Sequence, residues 1–599
     1  MAQVALRFRG MSLCPTLSEP TDVAVIRGVA IRMPDGTELV SDMWNTDPAR
    51  PRPVVLERTP YGRARTDQAE RRAGAPRPAS RAEVAAHYAE AGFAYVVQDC
   101  RGTGSSGGDF EKYAQEQADS SDTIRWIRAQ SWCDGTVVTA GFSYGAACQL
   151  AAMAAGGQPP DAAVLDCGGF SDALTSGIRQ GGALALKQAT WAHAQAIRDA
   201  EAGGDIAARD AIAAEPLADW LARGAWAPGH SPLAAAPSHE RNLAALWQNS
   251  LDGEFWDRPG LRTPPEPLGR VPTRALFVTS WHDTSLRGTI ENHAAMAAPG
   301  ATCPAPALII GPWSHGDRWS TRAGGVDFGR QALCETAFGV DFRALRRDFL
   351  AGASRPEGVH WFEIFGEGAR ASDHIRLGGH WTSAATWPPA GAVDATFVLG
   401  RGTLDAEVTE DVEASLVSDP DDPVPTLGGA INSGGELMPG GMFDQAPLDH
   451  RRDILRFRMR PFDRPLRLAG PVHARIRARS DAPDFDIAVE LSLVLGDGTA
   501  LNLSDGICRA RHRNGFAAED FPEPGVFTTI PVDLNPVGAM ILPGQSLRLD
   551  IAGSNFPCFD VNPQTGAPQG RPGPRRAARI TLRSGPSDPS TLTLTVLPR

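Results

Sequence analysis

Residues 23–46 alternate apolar and polar positions around Pro34-Asp35-Gly36, a turn signal, so the chain opens with an antiparallel hairpin. Val54-Val55-Leu56 and residues 93–98 are short, continuously apolar runs, as strands buried on both faces require. Between them residues 80–92 have helical spacing behind a capping box, Ser80 with Glu83. Residues 119–129 form the next helix, with Ile124 and Ile127 facing inward. A β-branched run at 136–140, an Ala-rich helix at 146–155 and a strand at 162–165 follow.

After Gly168-Gly169 the pattern changes. Residues 170–266 hold helical stretches rich in Ala and Trp, broken by Pro and Gly, with no convincing strand. Residues 274–280 and 307–310 return to strand character with a helix between them. The chain therefore predicts a parallel α/β sheet interrupted by a helical cap over its active edge. Beyond residue 356 only short alternating runs remain, such as 454–460, 472–478, 487–495 and 547–551, which predict an all-β sandwich or jelly roll.

At 599 residues the chain is too long for one core. Its net charge of -12 argues against a nucleic-acid partner. No apolar stretch is long enough for a membrane span, and residues 1–20 lack the apolar core of a secretory signal. Nine scattered cysteines with no Cys-x-x-Cys pair predict free thiols and a cytoplasmic setting. The basic residues are arginines except for Lys112 and Lys187, neither in a Ser-x-x-Lys arrangement, which argues against Ser-Lys amidase or β-lactamase chemistry.

The chemistry concentrates where strand 136–140 meets helix 146–155, at Gly141-Phe142-Ser143-Tyr144-Gly145. Strand, Gly-x-Ser-x-Gly and helix is the context of a nucleophile elbow. A serine nucleophile needs a base, and the base an orienting carboxylate, in the order Ser, Asp, His at successive strand ends. Asp283 lies just past strand 274–280 and His315 just past strand 307–310, so Ser143, Asp283 and His315 are the candidate catalytic residues. His282, His293 and Asp166 are the rivals. The backbone N–H of Tyr144 and the phenol of Tyr61, on the loop after strand 54–56, are the candidate oxyanion donors. Gly102-Thr103-Gly104-Ser105-Ser106-Gly107 matches Gly-x-Gly-x-x-Gly, but no helix opens at its third glycine, so it reads as a structural loop. Asp481, Asp484 and Asp486 lack a partner His or Glu at ligand spacing and read as turn and strand-edge residues. No metal or cofactor site is expected. The tryptophans 191, 220, 226, 247 and 256 are available as pocket walls or as the core of the cap.

These residues resemble the CocE/NonD-type serine hydrolases, the group of cocaine esterases, α-amino-acid ester hydrolases and X-Pro dipeptidyl-peptidases. The resemblance rests on Arg58-Thr59-Pro60-Tyr61, Asp99-Cys100-Arg101-Gly102-Thr103-Gly104, Gly141-Phe142-Ser143-Tyr144, Trp281-His282-Asp283 and Gly311-Pro312-Trp313-Ser314-His315. In the β region it rests on residues 422–426, 505–509, 554–557 and 562–563. It implies an α/β-hydrolase domain in two parts (1–169 and 267–355), a helical cap (170–266) and a C-terminal jelly roll (356–599). It also implies a Ser143–His315–Asp283 triad with Tyr61 and Tyr144 as oxyanion hole. The expected function is hydrolysis of a small-molecule ester or amide through an acyl-enzyme, with homo-oligomerisation left open. The alternatives are an acyltransferase on the same scaffold and a non-catalytic jelly-roll binding protein. Two departures from the family stand out: glycine follows the nucleophile at two residues, Gly145, rather than three, and Thr284-Ser285-Leu286 supplies no acid for a substrate ammonium.

Overall fold

A computed structural model describes residues 23–353, 356–432 and 434–598. The segment 1–20, read for a targeting signal, lies outside them.

The opening hairpin is β1 (Val25–Arg32) and β2 (Glu38–Trp44), paired antiparallel. The next strands are β3 (Arg52–Thr59), β4 (Ala94–Asp99), β5 (Cys133–Phe142) and β6 (Ala162–Asp166). Helices α1 (Arg81–Ala89), α2 (Glu116–Arg128) and α3 (Tyr144–Ala154) connect them. Both halves of the Ser80–Glu83 capping box form at α1. A pair of two-residue strands, β7 (Arg179–Gln180) and β8 (Ala183–Leu184), follows β6; pairs this short carry no alternating pattern, and the expectation of a strand-free segment misses them. Helices α4 (Lys187–Gly203), α5 (Ile206–Ala213), α6 (Leu217–Arg223) and α7 (Pro237–Gln248) then build the cap, before β9 (Arg274–His282) and β10 (Ala307–Ser314) return to the sheet.

The hydrolase strands pair in the order β1-β2-β4-β3-β5-β6-β9-β10, parallel from β4 onward. β4 and β6 are buried along their whole length, which explains their unbroken apolar runs. The sheet does not stop where the sequence pattern changes near residue 356. Strand Gly358–Ile364 pairs parallel with β10, Gly379–Ala384 pairs with it in turn, and Ile364 pairs with Ala539 of the β-rich domain. The change at 356 is thus one of local pattern, while the hydrogen-bonded sheet runs across it.

The C-terminal domain packs two antiparallel sheets face to face. One contains Leu466–Ser480, Thr528–Ile541, Ala578–Ser584 and Thr591–Leu597; the other contains Ile454–Arg458, Ser546–Ala552, Asp486–Val494 and Ala500–Arg509. Ile476, Ile530, Leu594, Val489, Leu491 and Leu549 meet between them. Asp484 and Asp486, read as turn and strand-edge residues, stand just before and at the start of strand Asp486–Val494, and they are 0% and 1% exposed. Asp486 takes the Arg509 guanidinium at 3.0 and 2.9 Å, and Asp484 takes Arg511 at 2.7 Å. Their partners stand more than twenty residues away, too far for local pattern to indicate. Arg509 also reaches Asp560, which accepts from Leu184 N at 2.6 Å and from Trp247 Nε1 at 2.9 Å, so a buried ionic cluster clasps the cap to the β domain.

Candidate active site

Ser143 stands between the last residue of β5 and the first of α3, with φ 56° and ψ -115°. A non-glycine residue held in this region is strained, and the strain lifts its side chain off the sheet's carboxyl edge. Close packing around the turn demands bare backbone. A Cβ on Gly141 would lie 2.8 Å from the Gly145 carbonyl carbon, and one on Gly168 would lie 2.0 Å from the Ser143 carbonyl oxygen. The Ser143 N–H is fixed by the Asp166 carbonyl at 2.8 Å.

Parallel pairing delivers the other two residues. Ser314 of β10 is in register with His282 of β9, so the residues that follow, His315 and Asp283, emerge side by side. His315 Nε2 lies 3.0 Å from Ser143 Oγ and His315 Nδ1 lies 2.7 Å from Asp283 Oδ2. Asp283 is 0% exposed, and its other oxygen accepts from Ser285 N at 2.6 Å. Burial by itself would raise this carboxyl, but the imidazole and the Ser285 amide outweigh it and hold it below its ordinary value. Phe142 packs against the imidazole with ring centroids 4.5 Å apart.

The Tyr144 N–H, first in α3, has no acceptor among the described residues and lies at the positive end of the helix. The Tyr144 phenol is tied down below the elbow, accepting from Tyr113 N at 2.8 Å and donating to Glu116 Oε1 at 2.9 Å. Glu116 is fixed in turn by buried Arg58, whose Nε also reaches Gln98 at 2.8 Å. This network gives Arg58 its place in the Arg-Thr-Pro-Tyr stretch. Tyr61, three residues on, brings its hydroxyl to the Ser143 side chain and accepts from Trp191 Nε1 at 3.3 Å. Burial pushes the Tyr61 phenol above its ordinary value, so it stays protonated.

The rivals are occupied elsewhere. His282 and His293 are buried and pushed down by desolvation to about 4, which keeps them neutral. Asp166 is paired with Arg318 at 2.6 Å. The candidate dinucleotide loop instead wraps the Asp99 carboxylate, which accepts from Arg63 N at 2.6 Å and Ser105 N at 3.1 Å. Cys100, Glu116 and Cys148 cluster within 4.8 Å, but Glu116 is already engaged by Arg58 and Tyr144.

Two residues near the triad escape sequence reasoning. Asn432, from the β domain, places its amide nitrogen 3.4 and 3.5 Å from the two ring nitrogens of His315. Cys167 brings its sulfur within 4.8 Å of ligand-type atoms of Asp283 and His315. Neither stands in a motif; only the assembled domains bring Asn432 to the imidazole. Of the cap tryptophans, Trp220, Trp247 and Trp256 are core residues, while Trp191 reaches the site through Tyr61.

Comparison with known proteins finds relatives along nearly the whole chain. Residues 35–317 match the X-Pro dipeptidyl-peptidase (S15 family) profile, and residues 351–593 match the X-Pro dipeptidyl-peptidase C-terminal non-catalytic domain. The chain is 28% identical to a cocaine esterase of Rhodococcus sp. (strain MB1 Bresler) over 96% of its own length and 99% of the relative's. Among solved structures, an α-amino acid ester hydrolase superposes with a TM-score of 0.76 at 22% identity, covering 97% of this chain and 98% of the other. An aminopeptidase of a marine-sediment Thaumarchaeota archaeon superposes with a TM-score of 0.75 at 21% identity, over 98% and 99%. Both likenesses concern the fold. With both domains matched in order and the elbow serine in place, the chain belongs to the CocE/NonD family of serine hydrolases.

Proposed function

We propose that this protein hydrolyses small-molecule carboxylic esters, in preference to amides, through an acyl-enzyme on Ser143. The observation that carries the reading is the continuous hydrogen-bonded line from Ser143 Oγ through His315 to Asp283. His315 takes the serine proton as Oγ attacks the carbonyl carbon. The carbonyl oxygen becomes an oxyanion facing the Tyr61 hydroxyl and the Tyr144 N–H. The tetrahedral centre collapses, the imidazolium gives its proton to the departing alkoxide, and the acyl group remains on the serine. Water then repeats the sequence: His315 removes its proton, the hydroxide adds to the acyl carbon, and Ser143 leaves with the proton returned. Asp283 holds the ring in the tautomer this requires and stabilises the imidazolium.

The ester preference is supported by Thr284, Ser285 and Leu286 after Asp283, where an acid for a substrate ammonium would be at hand. Cytoplasmic residence is the setting that fits the thiols: the eight described cysteines are free. No helix among the described residues is long and apolar enough to cross a membrane.

Hydrolysis of 4-nitrophenyl acetate by the wild type and by Ser143→Ala tests the reading. Wild-type turnover with loss in the variant, and labelling of Ser143 by a fluorophosphonate, are expected. Equal rates in both proteins overturn it. Undiminished hydrolysis in the presence of alcohols and amines separates the hydrolase from an acyltransferase.

A further inference from the structure

Beside the triad, where cap, hydrolase and β domain meet, lies a pocket whose walls include Lys187, Arg287, Thr284, Ile431, Met438 and Asp505. Three ties place it next to the chemistry. Thr284 follows Asp283; Ile431 precedes Asn432, whose amide meets the His315 ring; and Lys187 lies one helical turn before Trp191, which holds Tyr61.

Lys187 is the anomaly of this pocket. It is only 8% exposed, yet its ammonium makes no hydrogen bond and no ion pair among the described residues. A buried charge without a partner is costly, and proteins pair or remove such charges unless a ligand completes them. Asp283 attracts it and Asp505 shares the pocket wall, but neither carboxylate is paired with it. Asp283 is committed to His315 and Ser285. Cys558 is pushed well above its ordinary value by burial, so it stays a neutral thiol. Asp505 is held by Asn535 at 3.2 Å, and burial raises its carboxyl to about 6. Arg287 adds a second cation whose nearest carboxylates, Glu291 and Asp533, stand at 3.9 Å. Lys112, buried close by, hydrogen-bonds only to the neutral Gln188 amide and lies over the Trp191 ring at 3.6 Å. The chain has just two lysines among 58 basic residues, and both are buried. Desolvation pushes Lys187 down to about 8, which leaves it mostly protonated at neutral pH and in want of an anion.

We propose that Lys187, with Arg287, binds a carboxylate carried by the substrate, so that this enzyme is selective for esters bearing a negative charge a few carbons from the scissile bond. The proposal rests on the Ser143 reading above. A neutral apolar ester leaves the ammonium buried and unpaired, whereas a carboxylate completes it through a charge-assisted hydrogen bond. The carboxylate can reside on the acyl chain or on the alcohol, and paired substrates separate the two.

The test compares kcat/KM for monoethyl adipate against ethyl hexanoate, with the charge on the acyl side, and for 4-acetoxybutyrate against pentyl acetate, with the charge on the alcohol side. The wild type is expected to favour the charged member of one pair by about tenfold or more, and Lys187→Met to lower that ratio by about ten- to a hundredfold. Equal kcat/KM within both pairs in the wild type, or a preference that survives Lys187→Met, overturns the proposal. Should Lys187→Met not fold, inhibition of the wild type decides: adipate is expected to compete with ethyl hexanoate at a concentration at least tenfold below that of neutral 1,6-hexanediol, and equal inhibition overturns the site. No charge preference in the wild type, with Ser143 still labelled by fluorophosphonate, removes the carboxylate site alone. Undiminished hydrolysis of ethyl hexanoate by Ser143→Ala removes the serine reading beneath it.

Discussion

The indole N–H of Trp191 donates to the hydroxyl oxygen of Tyr61 at 3.3 Å, joining the cap to the catalytic edge of the hydrolase sheet. The phenol oxygen thereby spends a lone pair on the cap, and its own proton is free for an acceptor at Ser143. One bond thus links the domain that shapes the substrate pocket to the group that would stabilise the transition state.

Tyr61→Phe removes the hydroxyl and keeps the ring. Loss of one oxyanion donor in a dry site costs about 10²–10³ in kcat, with little change in KM, because the bond strengthens only as charge develops. Trp191→Phe keeps the donor but frees its direction, and a smaller loss, about tenfold, is expected. Steady-state kinetics on a neutral ester check both; a loss below about threefold in Tyr61→Phe would place the phenol outside the oxyanion hole.

Asp283→Asn keeps the shape of the triad but reverses the hydrogen-bonding preference at His315 Nδ1. The wrong imidazole tautomer then faces Ser143, and kcat is expected to fall about 10⁴-fold, near the effect of His315→Ala. Combining the two should cost scarcely more than either alone, since they act as a unit. Full additivity in the double variant would argue against a shared proton path.

The sequence made the elbow and the strand ends legible because both obey local rules: β-branched run, Gly-x-Ser-x-Gly, Ala-rich helix, and polar residues just past apolar strands. Parallel register did the rest, since Ser314 beside His282 leaves His315 beside Asp283. What stayed hidden is long-range. Asn432 reaches the imidazole from the β domain across 117 residues. Asp484 and Asp486 look like turn and strand-edge residues, and nothing local points to Arg511 and Arg509, more than twenty residues on. Lys187 looks like any helical lysine, and only burial exposes its missing partner. The two-residue pair β7–β8 is too short to carry a period at all.

Gly168→Ala tests the packing of the elbow from behind. Its Cβ would come within 2.0 Å of the Ser143 carbonyl oxygen and 3.0 Å of Ala146 Cβ, a backbone clash that no rotamer change relieves. The turn must shift, at a cost of about 1–3 kcal/mol or more. A lower Tm together with a large fall in kcat is expected, since Ser143 moves with its carbonyl. Gly157→Ala, where a Cβ meets nothing within 4 Å, is the control. Unchanged kinetics in Gly168→Ala would mean that the elbow tolerates a methyl group the geometry forbids.

Glu70 ties the loop after β3 to the helix Phe342–Leu350 near the other end of the hydrolase domain, accepting from Arg346 Nη1 at 2.6 Å and Nη2 at 3.0 Å. Burial would raise its carboxyl, but the Arg346 guanidinium overrides that and lowers it to about 2. Because the folded value lies below the ordinary one near 4.5, the ion pair's contribution is complete above pH 4.5 and drains away as pH falls toward 2. Glu70→Gln strands a buried arginine and should cost about 3–5 kcal/mol at neutral pH. The Tm gap between wild type and variant is therefore expected to stay constant from pH 7 to 5 and to narrow once the pH drops below 4.5. A gap that widens on acidification would mean that the carboxylate is not what neutralises Arg346.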